Sequence, residues 1–319
     1  MDNVEKKRLF YLDFLRFIAC VLITNSHFDG VYPLNISWGG CPGNCLFLMI
    51  SGFLLFDSIG KKKSFVFWFI PKVLRLYIPL FIINIITVSV GFRKPSLELF
   101  FFPINEVWFI PCIVLLYFAY YFAIKYKAFL WLYLVIDFAI YVVLYCRFDL
   151  QVFFVEKQLI FRYLYGFIAM MIGAFIKSKN ITVHDKTKAL RLITVSIFGI
   201  IGFLGVKLGI SEGIKLALYM QFLTQVFSML FATAAFIGLS YFNDKIERFM
   251  RNSALGKLTY IISSCTLEVY LVQFVLIANI KALVFPLNFV LIILAIMFSA
   301  LLLHVVSNEI YIKVIDYNK

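Results

Sequence analysis

Three ionisable residues lie within the first strongly apolar stretch of the chain, residues 9–27. They are Asp13, Arg16 and His27. Titratable side chains inside a bilayer are costly and usually serve a function, so these three are the first candidates for chemistry. At about 100° per residue, a continuous helix would place Arg16 and His27 on one face, roughly 16 Å apart along its axis. Such a helix would present a cation near one membrane surface and an imidazole near the other.

His27 is a candidate general base, because imidazole titrates near neutral pH and can take a proton from an attacking hydroxyl. The structural alternative is an interfacial histidine that is hydrogen-bonded to a neighbouring helix. Asp13 and Arg16, one helical turn apart, either neutralise each other or take part in the reaction. The residue types alone leave both alternatives open.

A second basic pair, Lys72 and Arg75, follows an aromatic stretch at residues 65–69. Pro71 precedes the pair, and proline suits the first turn of a helix. A helix N-terminus with adjacent basic side chains forms an anion site, which would suit the phosphates of a cytosolic donor such as coenzyme A. The alternative is topogenic charge beside an interfacial aromatic belt.

Other polar residues occur within or beside further apolar segments. Ser51 and Gly52 form a small-residue pair of the kind that allows helices to pack closely. Glu106 and Trp108 open the fourth apolar segment and place a carboxylate and an indole at the outer membrane interface.

Glu268 is a costly carboxylate in the ninth apolar segment, and we expect it to face the protein interior. Its structural alternative is a buried pairing with Arg16 or Arg162. Asp137 and His304 are lone ionisable residues that we interpret as structural.

The composition places these residues in a membrane. The chain has 319 residues, of which 63% are hydrophobic and 15% charged, with a mean hydropathy of +0.95. Soluble domains are nearer half apolar and a quarter charged. We therefore predict an all-α, polytopic transmembrane helical bundle that forms one domain over residues 1–319. Apolar runs of span length indicate about ten spans, near residues 9–27, 44–59, 74–91, 107–124, 128–146, 158–176, 189–206, 213–241, 258–278 and 285–306.

The net charge of +13 follows the predicted topology. With a cytosolic N-terminus, 21 of the 30 lysines and arginines lie at cytosolic ends of the spans, eight lie at the other ends, and Arg16 lies within a span. This bias obeys the positive-inside rule. We predict that both termini are cytosolic, that the first helix stays as an uncleaved signal anchor, and that nucleic acid is not a partner.

Cys41 and Cys45, on the outer loop where the second span begins, form either a disulfide or two ordinary loop thiols. Their spacing fits no common zinc pattern, and we expect no metal. Glycine-rich phosphate loops and nucleophile elbows are also missing from the sequence.

Five motifs, taken in order, resemble those of the acyltransferase type 3 family, which are integral-membrane enzymes that transfer acyl groups from acyl-coenzyme A to cell-envelope glycans. The resemblance covers the first third of the chain and one late helix, whereas residues 125–255 match only in hydropathy. The motifs lie at residues 11–16 with 27–28, at 47–53, at 72–79, at 107–109 and at 270–273.

The resemblance implies that His27 is catalytic, that Arg16 supports the donor or the site geometry, and that Lys72 and Arg75 hold donor phosphates. The family usually has arginine where Lys72 stands, and lysine offers only a point charge. It often has histidine where Gln273 stands, and an amide can position a ligand but cannot exchange protons.

These inferences predict a multi-pass enzyme of the bacterial cytoplasmic membrane that moves an acyl group from acetyl-coenzyme A to a cell-surface polysaccharide or lipid-linked glycan. Succinyl transfer is the nearest chemical alternative. A glycan flippase or exporter and a purely structural membrane subunit are the alternatives from other classes. The predicted catalytic residues are His27, Arg16 and Asp13, the donor-binding residues are Lys72 and Arg75, and the substrate-binding residues are Ser51, Glu106, Trp108, Glu268 and Gln273.

Overall fold

The structure is a computed structural model that describes residues 8–32, 36–59, 64–103, 107–126, 130–150, 152 and 154–317. Within these ranges the chain forms 14 α-helices and one short 3-10 helix, Val155–Lys157, with no strand. The predicted all-α fold is confirmed. The helices are α1 (Phe10–Asn25), α2 (Gly40–Ile59), α3 (Phe65–Ser89), α4 (Leu97–Phe101), α5 (Phe109–Lys125), α6 (Leu130–Arg147), α7 (Leu159–Ser178), α8 (Lys186–Ser211), α9 (Lys215–Tyr219), α10 (Phe222–Ser240), α11 (Asn243–Asn252), α12 (Ala254–Ser264), α13 (Thr266–Ile280) and α14 (Leu287–Tyr317).

Six of the described helices are long and apolar enough to cross a membrane, namely α2, α3, α7, α8, α10 and α14. Helices α12 and α13 add a seventh span if the bent pair is counted as one. The remaining predicted spans correspond to α1, α5 and α6. The chain is therefore a multi-pass membrane protein, while the count of ten and the side on which the termini lie stay predictions.

Two of the predicted spans are not single helices. The run at 213–241 divides into α9 and α10, because the side chain of the buried Gln221 between them forms hydrogen bonds with the backbone of residues 150 and 155. Its Nε2 donates to the carbonyl of Leu150 at 2.7 Å, and its Oε1 accepts from the amide of Val155 at 2.9 Å. The run at 258–278 breaks at Cys265, where α12 and α13 meet at 83°. Broken helices are tolerated inside membranes where they line a cavity, which is the case here.

The two cysteines expected in a loop lie instead in the first two turns of α2. Cys41 and Cys45 are both free thiols. The alternative of a disulfide between them is therefore wrong.

Helices α2 and α7 cross at two glycines. A Cβ atom on Gly52 would collide with the carbonyl oxygen of Met170, and one on Gly173 would collide with that of Met49. The hydroxyl of Tyr120 also donates to the Gly52 carbonyl at 2.6 Å. The predicted role of this glycine in close helix packing is confirmed.

We expect Gly173→Ala to lower the melting temperature of the detergent-solubilised protein by several degrees. The added methyl group meets main-chain atoms that cannot rotate away, and overpacking of this kind costs about 1–3 kcal/mol. Gly205→Ala in α8 is the matched control, because nothing lies within 4 Å of the Cβ that it would add. Alanine there should leave stability unchanged or raise it by up to about 1 kcal/mol. Equal melting temperatures for the two variants would contradict the close crossing.

Candidate active site

An inner cavity of about 440 Å³ lies among helices α1, α2, α3, α5, α12, α13 and α14. We name it for the cytosolic side on which the predicted topology places it. Five predicted site residues from four helices line it together: Arg16, Ser51, Lys72, Arg75 and Glu268. Because they are up to 252 positions apart in the chain, only the fold brings these groups to one place.

Asp13 pairs with Arg16 and is not itself among the residues that line the inner cavity. Its side chain is 5% exposed, and its carboxylate accepts from Arg16 Nη1 at 3.3 Å and from Arg8 Nε at 2.8 Å. These contacts match the alternative in which Asp13 and Arg16 neutralise each other. Asp13 is therefore placed as a positioning residue, and Arg8 is a partner that we did not single out from the sequence.

Helix α3 starts earlier than the sequence indicated. Ser64 caps it, with its Oγ accepting from the amide of Phe67 at 3.5 Å, and Pro71 lies inside the helix. The predicted anion site at a helix N-terminus is therefore wrong, because Lys72 and Arg75 lie beyond the first turn. Any anion bound here would be held by side chains and not by free helix amides.

The two basic side chains of α3 differ in their surroundings. Lys72 Nζ donates to the carbonyl of Trp68 at 2.8 Å and lies 4.0 Å from the centroid of that indole ring. Arg75 is exposed along the inner cavity. The guanidinium of Arg75 is thus accessible to a ligand that enters the cavity. The ammonium of Lys72 adds positive charge to the same cavity while it contacts Trp68.

Glu268 pairs with His304, and this pairing was missed. Its Oε1 lies 2.9 Å from His304 Nδ1, so the alternative partners Arg16 and Arg162 are wrong. The two residues are 36 positions apart on α13 and α14, and no local spacing signals the contact. His304 also lines the inner cavity, followed at helical spacing on the same helix by Ser307, Asn308 and Tyr311.

An outer cavity of about 240 Å³ holds His27 together with Trp108, Arg162 and Tyr165. The guanidinium of Arg162 lies 4.1 Å from the centroid of the Trp108 indole ring, and its Nε donates to the carbonyl of Glu156 at 2.6 Å. Glu106, the neighbour predicted beside Trp108, lies outside the described residues.

His27 does not continue α1, which ends at Asn25. It lies in the following turn, with its ring 4.5 Å from that of Phe274. Asn25 fixes the loop after this turn, because its Nδ2 donates to the carbonyls of Ile36 and Trp38 at 2.9 Å each. The assumed continuous helix is wrong at this end, yet Arg16 and His27 do line separate cavities.

An outer vestibule of about 500 Å³ adjoins the outer cavity and shares with it Trp38, Glu156, Lys157 and Lys207, among others. Lys207 Nζ forms an ion pair with Glu156 Oε2, and the other carboxylate oxygen of Glu156 is buried without a partner among the described residues. Neither Lys207 nor Glu156 was singled out from the sequence as a site residue, because their pairing spans 51 positions.

A middle cavity of about 20 Å³ lies between the two larger ones and shares lining residues with each. It shares Phe47 and Phe109 with the inner cavity and Asn44 and Tyr270 with the outer cavity. The ring centroids of Phe47 and Phe109 are 5.5 Å apart, and those of Phe109 and Tyr270 are 5.4 Å apart. The three cavities therefore form a series from the basic cluster to His27, narrowed by aromatic rings.

The fold and the site define an integral-membrane protein of many helices, with two cavities that contain charged side chains and a small cavity between them. A family model described as an acyltransferase domain matches residues 9–308. The chain belongs to this acyltransferase type 3 family, and it is a membrane acyltransferase. Neither the curated proteins nor the solved structures include a significant match.

Proposed function

We propose that the protein transfers an acyl group, acetyl in the first instance, from cytosolic acyl-coenzyme A to a hydroxyl of a cell-surface polysaccharide or lipid-linked glycan. Its location would be the bacterial cytoplasmic membrane. The observation that carries this proposal is the series of cavities between the basic inner residues and His27. A donor held at one end can present its thioester to an acceptor held at the other.

The inner cavity suits the phosphates of the donor. Three cationic side chains line this one cavity, those of Arg16, Lys72 and Arg75. Guanidinium groups bind phosphate oxygens in pairs, whereas the ammonium of Lys72 contributes charge without that geometry. The volume of about 440 Å³ is in the range of pockets for small ligands.

The chemical step uses His27 as general base. Its imidazole takes the proton of the sugar hydroxyl while the oxygen attacks the carbonyl carbon of the thioester. The carbon–sulfur bond then breaks, and the sulfur of coenzyme A leaves with the proton that the imidazolium returns. The products are the sugar ester and the free thiol, and no other reactant is needed.

The outer cavity and vestibule suit a sugar. Trp38 and Trp108 provide flat apolar surfaces, and Glu156 and Lys207 provide a hydrogen-bond acceptor and donors beside His27. Glu156 retains a buried oxygen without a partner among the described residues, so it is free to accept from a hydroxyl.

Purified protein in nanodiscs tests the proposal directly. With acetyl-coenzyme A and an envelope glycan, we expect free thiol to be released only when the glycan is present, together with a base-labile ester on the glycan. Release of free thiol at the same rate with and without the glycan would contradict transfer of the acyl group to the glycan. In sealed proteoliposomes, movement of the glycan without thioester cleavage would instead support a flippase or exporter.

A further inference from the structure

Gln273 of α13 is the most anomalous polar residue in the described part of the chain. Its side chain is 0% exposed, and neither Oε1 nor Nε2 has a hydrogen-bond partner among the described residues. Buried amides in proteins are nearly always paired, and an unpaired one is destabilising. In a membrane interior bulk water does not relieve that cost. Such an unfavourable arrangement is expected at a functional site, where a ligand supplies the missing hydrogen-bond partners.

The amide lies on the route between the two large cavities. Gln273 lines the middle cavity, whose other polar lining residues are Thr24, Asn44 and Thr266. The remaining lining is mostly apolar and includes Phe47, Phe109 and Tyr270. A ligand that extends from the inner cavity to His27 has to pass this point.

The chemistry of the amide restricts what that ligand is. Oε1 requires a donor and Nε2 requires an acceptor, so the passing segment has to carry both kinds of group. A plain alkyl chain carries neither. The pantetheine arm of coenzyme A carries two secondary amides, each with one N–H and one carbonyl.

We infer that Gln273 is the binding point for the amides of a pantetheine arm, and therefore that the donor is a phosphopantetheine thioester. This inference rests on the proposed function and specifies its donor. Nε2 donates to an amide carbonyl of the arm, and Oε1 accepts from an amide N–H. The middle cavity has room for about one water-sized probe, so the aromatic side chains that narrow it move when the arm enters.

Gln273→Met tests the inference, because methionine keeps the length of the side chain and removes both polar atoms. Calorimetry on the full-length protein in nanodiscs would compare coenzyme A with adenosine 3′,5′-bisphosphate, which has phosphates but no pantetheine. We expect the Kd for coenzyme A to rise about tenfold or more, in line with the loss of hydrogen bonds to an amide. The Kd for the bisphosphate should not change.

Thermal unfolding gives a second and opposite readout. Gln273→Met should melt at the wild-type temperature or above it, because an unpaired buried amide is removed. Asn84→Leu is the control, since this buried amide lies outside the cavities and is paired, its Nδ2 donating to the carbonyl of Leu99 at 2.8 Å. That variant should lose melting temperature and keep its affinity for coenzyme A.

The outcomes separate the inference from the function on which it rests. Wild-type protein that does not bind coenzyme A would overturn the donor in the proposed function. Wild-type binding of coenzyme A with an unchanged Kd in Gln273→Met would overturn the role of Gln273 alone. A variant that loses affinity for both ligands equally, or that melts below the wild type, would also overturn it.

Discussion

Replacement of His27 by alanine is expected to lower the rate of acyl transfer by about 10²–10⁴-fold, the range that a positioned general base contributes. The sugar hydroxyl would then attack with its proton still in place. Release of free thiol from acetyl-coenzyme A at saturating glycan measures the effect. Because His27 lies in a turn after α1 and not inside a helix, we expect the variant to fold.

His184→Ala is the matched control for this experiment. His184 is exposed between α7 and α8, and its Nε2 lies 3.1 Å from the hydroxyl of Thr182, away from the three cavities. Its replacement should leave the rate at the wild-type level. A rate for His27→Ala within tenfold of the wild type would show that another group removes the proton, and would agree with the structural interpretation of His27.

Arg75→Met is expected to raise the KM for acetyl-coenzyme A about tenfold and to leave kcat nearly unchanged. Hydrogen bonds to charged groups contribute about 1.5–3 kcal/mol, and solvent around the exposed guanidinium reduces this toward the lower end. The phosphates that Arg75 is proposed to hold are remote from the thioester, so the loss falls on binding. Initial rates over a range of donor concentrations measure it.

The control for Arg75 is a basic residue outside the cavities. Arg191→Met, on the exposed cytosolic end of α8 in the predicted topology, removes the same charge and should not change KM. Acetyl-pantetheine, which has no phosphates, should be used equally well by Arg75→Met and wild type. A KM that rises equally for both donors would contradict a phosphate contact at Arg75.

The helices were predictable because an apolar segment in a bilayer has to pair its own backbone N–H and C=O groups, which a helix does within the segment. Each of the ten runs is mostly helical where the structure describes it, apart from a few residues at the ends and the breaks within two of the runs. The breaks were not predictable. Gln221 interrupts one run because its side chain bonds to residues 66–71 positions away, and hydropathy contains no record of such a contact.

The inner part of the site was also predictable, because a charged arginine or lysine in an apolar segment is costly in a bilayer and is usually kept for a function. Arg16, Lys72 and Arg75 do line one cavity. The partner of Glu268 was missed because His304 comes from another helix, and a single polar residue in an apolar segment does not indicate its neighbour. The start of α3 was misjudged because Pro71 was interpreted as a helix start, whereas Ser64 takes that role.

Unpaired polar atoms could be found only in the folded chain. Gln273 looks like any glutamine in the sequence, and its significance comes from the missing partners within a narrow passage. The same holds for Gly173, whose need for close approach depends on the backbone of Met49. Both features depend on how α13 and α7 pack, which residue types do not specify.

The sidedness of the reaction tests the account most directly. Proteoliposomes with one orientation of the protein would receive acetyl-coenzyme A on one side and the glycan on the other, since neither crosses the bilayer unaided. We predict ester formation only when the donor is on the side of Arg75 and the glycan is on the side of His27. Ester formation with both reactants supplied only on the His27 side would contradict the account, in which the donor binds on the Arg75 side and extends its thioester through the protein to His27.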